Sequence, residues 1–234
     1  MDFRWLSGCG LHPLSAALSV IKKQRMSRRK RNGKGRIIMA APRLILASAS
    51  PRRKEMLRLA GVRFTILHGS VDETPGPGEA PENYALRLSE AKARAVASMR
   101  PGRWVLGADT IVTIDGELLG KPATIDEARC MIRKLSGREH TVITAFTLVN
   151  SGRAEVIRRA VASQVRFKDV PDDEVDWYVA TDEPYDKAGG YAVQGKASFL
   201  VSEIYGSYTN VVGLPLCEVV EALKELGLVD FKQG

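Results

Sequence analysis

The sequence predicts an α/β domain built on a mixed, twisted sheet with flanking helices. Three observations carry this. Short apolar strand-like runs alternate with helical patterns from Arg43 to Ser136. Two long β-rich runs then face each other across a short turn, an antiparallel hairpin that a purely doubly wound parallel sheet lacks. The composition, 44% hydrophobic and 26% charged over 234 residues, is that of an ordinary globular chain, large enough for one sizeable core or two lobes sharing a cleft.

The elements follow in order. "RLILA", starting at Arg43, is a buried strand, and Ser50 with Pro51 supplies a cap and first position for a helix to about Ala60, ended by Gly61. "VRFTIL" is a second strand, followed by the Gly/Pro-rich loop "HGSVDETPGPGEAP". Pro81 opens a long helix to about Met99, with Tyr84, Leu88, Ala91 and Ala95 at helical spacing. "WVLGADTIVTI" is strand-like on both sides of a Gly-Ala-Asp break, and Asp115-Gly116 marks a hairpin turn before "ELLGKP". Thr124 and Glu127 form a capping box for a helix ending at Ser136-Gly137. "HTVITAFTLVN" and "AEVIRRAVASQVRF" are the hairpin, turning at Ser151-Gly152. A helix from Asp172 to Ala180, the loop "TDEPYDKAGGYAVQG", a strand "SFLVSEIYG" and a helix from about Leu214 to Leu226, with Gly227 past its end, complete the chain.

The formal charge of +8 would suggest nucleic acid or a membrane surface, but it is unevenly spread. Residues 1–38 carry ten Lys/Arg and one acid, whereas residues 39–234 carry 25 Lys/Arg and 26 acids. Basicity therefore belongs to residues 1–38, expected to be a disordered extension, and residues 39–234 are the globular domain. The apolar stretch Leu14 to Ile21 is too short to span a membrane, and its basic cluster follows where a secretory signal would have it precede. Translation from an upstream start, with Met39 as the working first residue, competes with a basic or organelle-targeting extension. Three scattered cysteines, Cys9, Cys130 and Cys217, fit a reducing compartment, and the cytoplasm is expected. His12, His68 and His140 make no ligand spacing, so a metal would be held by carboxylates and would be a hard ion, magnesium or manganese.

"SASPRR" places Arg52 and Arg53 in the first turn of a helix, where cations are unfavourable and an anion is welcome. A bound phosphate would offset that cost; two solvated arginines on a capped surface helix are the plainer alternative. No G-x-x-x-x-G-K-[ST] loop competes for phosphate. Glu73 in the Gly/Pro-rich loop and Asp109 at the strand break could bind a divalent ion or take a proton from water. Equally, Glu73 could be a solvated loop acid and Asp109 a turn cap. Lys121 has no helix face to decorate and could be a surface lysine. For Lys92, beside the possible Glu90–Arg94 pair, spacing alone favours a solvated helix face. The loop holding Asp182, Glu183, Asp186, Lys187 and Gln194 among glycines permits close approach of backbone to a ligand.

Taken together, "LILASASPRR", "VDE", "RLSEAKARA", "LGADTIV" with "GKP", "KLSGREHTVITAF", "YVATDEPYDKAGGYAVQG" and "VVGLPL" resemble the Maf family of nucleoside triphosphate pyrophosphatases, in order from Arg43 to Leu226. The resemblance implies an inosine-triphosphatase-like fold, with the mixed sheet dividing two lobes around a cleft, and a homodimer. It implies Asp109 as proton acceptor, Arg52, Thr110 and Gln194 as residues tied to base selectivity, and Ser48, Arg53, Glu73, Lys92 and Lys121 as a polar cleft set. In the branch similar to 7-methyl-GTP pyrophosphatases, the positions of Arg52, Thr110 and Gln194 tend to be Trp, Gln and Glu; "SPRR", "ADT" and "VQG" resemble the dTTP/UTP branch instead. An amide at Gln194 can pair with both N3–H and a carbonyl of uracil or thymine, while a carboxylate suits donor-rich guanine.

The implied reaction is hydrolysis between the α and β phosphates of a nucleoside triphosphate, possible substrates including modified pyrimidine nucleotides. Arg52, Arg53, Lys92 and Lys121 would hold the triphosphate; Glu73 and Asp109 would hold magnesium or manganese; Asp109 would be base, metal ligand or both. A Maf-type regulator of cell division acting through binding, and the 7-methyl-GTP activity, are the alternatives. No specific nucleic-acid or membrane partner is expected, because the globular part is nearly neutral and has no aromatic-basic platform.

Overall fold

A computed structural model describes residues 43–231. The basic segment 1–38 and the start at Met39 lie outside the described residues. The elements are β1 (Leu44–Leu46), α1 (Pro51–Leu59), β2 (Phe64–Ile66), α2 (Pro81–Ala97), β3 (Trp104–Ile114), β4 (Glu117–Leu119), α3 (Ile125–Leu135), β5 (Glu139–Asn150), β6 (Glu155–Phe167), α4 (Asp172–Val179), β7 (Val201–Tyr205), α5 (Tyr208–Val212) and α6 (Leu216–Glu225). Three 3₁₀ turns, Pro184–Asp186, Ala188–Gly190 and Lys196–Leu200, lie between α4 and β7. The sheet runs β2-β1-β3-β5-β6-β7, with β4 also on β3. β1 pairs in parallel with β2 and β3, and every other pair is antiparallel, so the sheet is mixed as predicted.

Local signals act as their chemistry requires. Ser50 Oγ accepts from Arg53 N, and Pro51 opens α1. Thr124 Oγ1 accepts from Glu127 N, while the Glu127 carboxylate reaches back past the cap to Ala123 N at 2.6 Å. Asp115 and Gly116, both at positive φ, make the two-residue turn that pairs Ile114 with Glu117.

Side-chain alternation along β3 organises the core. Trp104, Leu106 and Ala108 face a cluster with Leu44, Leu46 and Phe146, covered by Leu57 of α1 and Val219, Ala222 and Leu223 of α6. Val112 and Ile114, on the same face further along, enter a second cluster with Ile132 of α3, Phe167 of β6 and Tyr178 of α4. Thr110 sits between the two clusters. Against the other face lies α2, with Ala93, Val96 and Ala97 on Ile45 and Val105, and Tyr84, Ala85 and Leu88 on Ile111 and Ala145.

Three sequence expectations are corrected. The strand "WVLGADTIVTI" has no break: Val105 to Thr113 pair continuously with β5. Gly107 is there because α2 crosses it; a Cβ would stand 2.7 Å from Ala93 N and closer still to Ser89 O. The predicted strand "SFLVSEIYG" begins only at Val201, after a 3₁₀ turn, and the short helix α5 precedes the predicted final helix. Among the described residues no helix is long and apolar enough to cross a membrane.

Candidate active site

β3 is longer than either of its partners on one edge. β1 covers Trp104–Leu106 and β4 covers Val112–Ile114, leaving residues 107–111 without a strand on that side. A cleft of about 520 Å³ opens at this gap. Ser48, Arg52, Arg53, Glu73, Lys92, Asp109, Thr110, Lys121 and Gln194 all line it. Residues from six separate stretches of sequence therefore meet where a strand edge is left open.

Arg53 repairs that edge. Its Nη1 donates to the Ala108 carbonyl at 2.8 Å, an acceptor that neither β1 nor β4 reaches, and to Ser48 Oγ at 3.3 Å. Nε donates to the Gly213 carbonyl at 2.7 Å and Nη2 to Thr110 Oγ1 at 3.0 Å. Of five guanidinium N–H groups, one on Nη2 is left for a ligand. Burial pulls the Arg53 guanidinium below its ordinary pKa, and the Asp109 carboxylate opposes this. Arg52, one residue earlier, makes no hydrogen bond among the described residues, so its fork is free toward the cleft.

Asp109 points to the α2 side of β3 and meets Lys92. Lys92 Nζ lies 2.6 Å from Asp109 Oδ1 and 2.6 Å from Glu73 Oε1; Lys121 Nζ lies 3.9 Å from Glu73 Oε2. The solvated helix face favoured for Lys92 is thus replaced by an inward position, only 18% exposed. Its spacing from Tyr84 and Leu88, eight and four residues, was the available signal. The outer face of α2 instead carries the predicted Arg94–Glu90 pair at 2.6 Å. Lys92, by hydrogen bond, holds the Glu73 carboxyl below the usual range although burial opposes it.

Glu73 is on a loop without regular structure, and α2 fastens it. The Tyr84 hydroxyl donates to Glu73 O at 2.5 Å, Arg87 donates to Thr74 O at 3.0 Å and to both Glu79 oxygens, and Glu79 accepts from Gly76 N. Behind Thr110, Thr144 Oγ1 lies 2.9 Å from Thr110 Oγ1 and donates to Asn210 O; the buried Asn210 side chain also bonds Thr144 N, Val142 O and Ser163 Oγ. Sequence reading missed these supports because the Thr144 and Asn210 bonds join residues 34 to 68 positions apart, and the bonds that fasten the Glu73 loop lie in a segment without a periodic pattern. Gln194 makes no side-chain hydrogen bond among the described residues and lines the cleft from the 181–195 loop.

Among the described residues no three His, Cys, Asp or Glu side chains converge as a metal cage. Two carboxylates that already converge on one cation, Lys92, do fit a hard divalent ion whose remaining ligands are phosphate oxygens and water.

An open strand edge lined by two carboxylates and several cations is chemistry for holding and cleaving a polyanion. A family model described as Maf-like protein matches residues 43–226, and the chain belongs to the Maf family. It is 52% identical over 193 residues to the dTTP/UTP pyrophosphatase of Syntrophus aciditrophicus, covering 82% of this chain and 94% of that one. It is 51% identical to the dTTP/UTP pyrophosphatase of Geobacter metallireducens (79% and 96% covered) and 49% identical to that of Myxococcus xanthus (79% and 93%). Among solved structures, the Staphylococcus aureus Ham1 protein aligns with a TM-score of 0.44 at 12% identity, over 79% of this chain and 98% of that one.

Proposed function

We propose that this chain is a nucleoside triphosphate pyrophosphatase that hydrolyses dTTP and UTP to the monophosphate and pyrophosphate. The observation that carries the reading is the cleft at the β3 gap, with Asp109, Lys92 and Glu73 linked beside Arg52 and Lys121, in a chain about half identical to relatives of that name.

Arg52 and Lys121 bind phosphate oxygens; Arg53 contributes at most one N–H and otherwise holds Ser48, Thr110 and the Ala108 and Gly213 carbonyls in place. Lys92 holds Oδ1 of Asp109, which leaves Oδ2 to take the proton of a water attacking the α phosphorus. As the new P–O bond forms, the bond from the α phosphorus to the bridging oxygen breaks, and pyrophosphate leaves with the electron pair. Lys92 and Lys121 stabilise the charge that gathers on it. Glu73 and Asp109 would hold magnesium or manganese, which when bound supplies further neutralisation of the phosphate oxygens. The free amide of Gln194 selects the pyrimidine edge.

The reading extends to a cytoplasmic homodimer without a nucleic-acid or membrane partner. The compartment is supported by the cysteines among the described residues, Cys130 and Cys217, both free and exposed, and the lack of a nucleic-acid partner by the near-neutral charge of residues 39–234; the homodimer is what the family resemblance implies.

The test is pyrophosphate release from dTTP, UTP, CTP, GTP and 7-methyl-GTP with magnesium or manganese, beside Asp109→Asn. Release is expected from dTTP and UTP, with a loss of about 10²-fold or more in the variant. Equal turnover by Asp109→Asn would remove Asp109 from the proton transfer, and no release from any nucleotide would move the weight to a regulator that acts by binding.

A further inference from the structure

Gln194 is at the end of a turn, Ala192 to Gly195, closed by Gly195 N donating to Ala192 O at 3.0 Å. Among the described residues nothing hydrogen-bonds its side chain, so the direction of the amide depends on its backbone. That backbone is pinned from one side by a single carboxylate. Glu183 Oε2 accepts from Lys196 N at 2.7 Å and Oε1 from Ala197 N at 3.1 Å, the two residues that follow the turn. The Tyr178 hydroxyl of α4 lies 3.2 Å from the same Oε1 and 3.0 Å from Gly190 O, and Lys187 Nζ donates to Glu183 O at 2.8 Å. Gly195 is what lets the carboxylate lie flat on the chain: a Cβ there would stand on the Glu183 oxygens.

We infer that Glu183 is a positioning residue for base selection, fixing through the Lys196 and Ala197 N–H groups the turn that aims Gln194 at the pyrimidine. The inference rests on the reading of Gln194 as the base-selecting amide. Glu183 itself is not among the residues that line the cleft. An anion that accepts two successive backbone N–H groups sets their orientation more tightly than a neutral acceptor does. A glutamine in its place would turn an NH₂ donor toward one of those N–H donors and lose that bond.

The experiment compares kcat and KM for UTP and CTP in the wild-type chain, Glu183→Gln, Gly195→Ala and Gln194→Ala, with thermal unfolding of each. Glu183→Gln keeps size and shape, and Gly195→Ala displaces the carboxylate while leaving Glu183 intact, so the two reach the same turn by different routes. In both, the UTP-over-CTP ratio of kcat/KM is expected to fall by about tenfold or more, since a displacement of the order of 1 Å is costly to an oriented contact. The fall should lie in KM, with kcat at saturating UTP within about threefold, because Asp109 and the phosphate-binding residues stay in place. A purely structural role would lower the unfolding temperature and leave the ratio alone. An unchanged ratio in Glu183→Gln and Gly195→Ala, with a changed one in Gln194→Ala, overturns this inference alone. An unchanged ratio in Gln194→Ala overturns base selection by Gln194, and this inference with it.

Discussion

Arg53 spreads four N–H groups over Gly213, Ala108, Thr110 and Ser48, whereas Arg52 makes no hydrogen bond among the described residues. The pair "RR" reads in sequence as two equivalent cations at a helix start; the structure gives one a structural role and leaves the other lining the cleft. Arg53→Lys replaces a planar fork by a single ammonium that cannot span four acceptors, leaving buried carbonyls unpaired. The expected loss is about 2–4 kcal/mol of stability in urea unfolding. Arg52→Ala should change stability by no more than about 0.5 kcal/mol and raise KM for the nucleotide. Equal stability losses in the two variants would show that Arg53 is not the strut its contacts describe.

At the scale of elements, the site follows from a mismatch of strand lengths. β3 has eleven residues, while β1 and β4 have three each, and the uncovered middle is the cleft floor. α2 closes over the opposite face of β3 at Gly107, and this close approach is what brings Lys92 to Asp109 and Tyr84 to the Glu73 loop. Gly107→Ala would drive a methyl group into the α2 backbone, so the helix has to withdraw. Denaturation should report a loss of about 1–3 kcal/mol, accompanied by a lower kcat as Lys92 moves from Asp109. A variant with wild-type stability and turnover would mean that the approach is not needed. The longer helices, the long hairpin and the tight turn at Asp115-Gly116 were legible because capping, alternation and φ > 0 are local properties, whereas the five-residue α5 was not. The supposed break at Gly107 was misread because a glycine in a strand looks the same whether it interrupts pairing or admits a helix.

For the whole molecule, acid stability should carry the mark of His140. This ring, carried by β5, is buried edge-on to Phe167 of β6 and to Tyr191, with Nε2 2.7 Å from the Tyr191 hydroxyl and no partner for Nδ1 among the described residues. Burial pushes its pKa down from 6.5 to about 4. The native state keeps it neutral while the unfolded chain takes a proton, so its contribution is whole above pH 6.5 and is lost as pH falls through about 4. The lowered carboxyl of Glu73 adds a loss in the same direction at lower pH, in the carboxylate range. Urea unfolding at pH 7 and pH 4.5 should show wild-type stability falling more than that of His140→Gln, by up to about 3 kcal/mol. Parallel pH profiles would refute a neutral buried His140.

The sequence by itself determined the kinds of element, their order, the mixed sheet and the residues that line the cleft, because periodicity, capping and ordered motifs are written in neighbouring positions. Only the tertiary structure decided what those residues do to one another. Lys92 holds Asp109 and Glu73, Arg53 is taken up by the Ala108 and Gly213 carbonyls, and Glu183 grips the turn behind Gln194. Each of these is an interaction within about 3 Å between groups as much as 160 residues apart along the chain. Direction and distance of that kind arise only when the strands are paired and the helices packed.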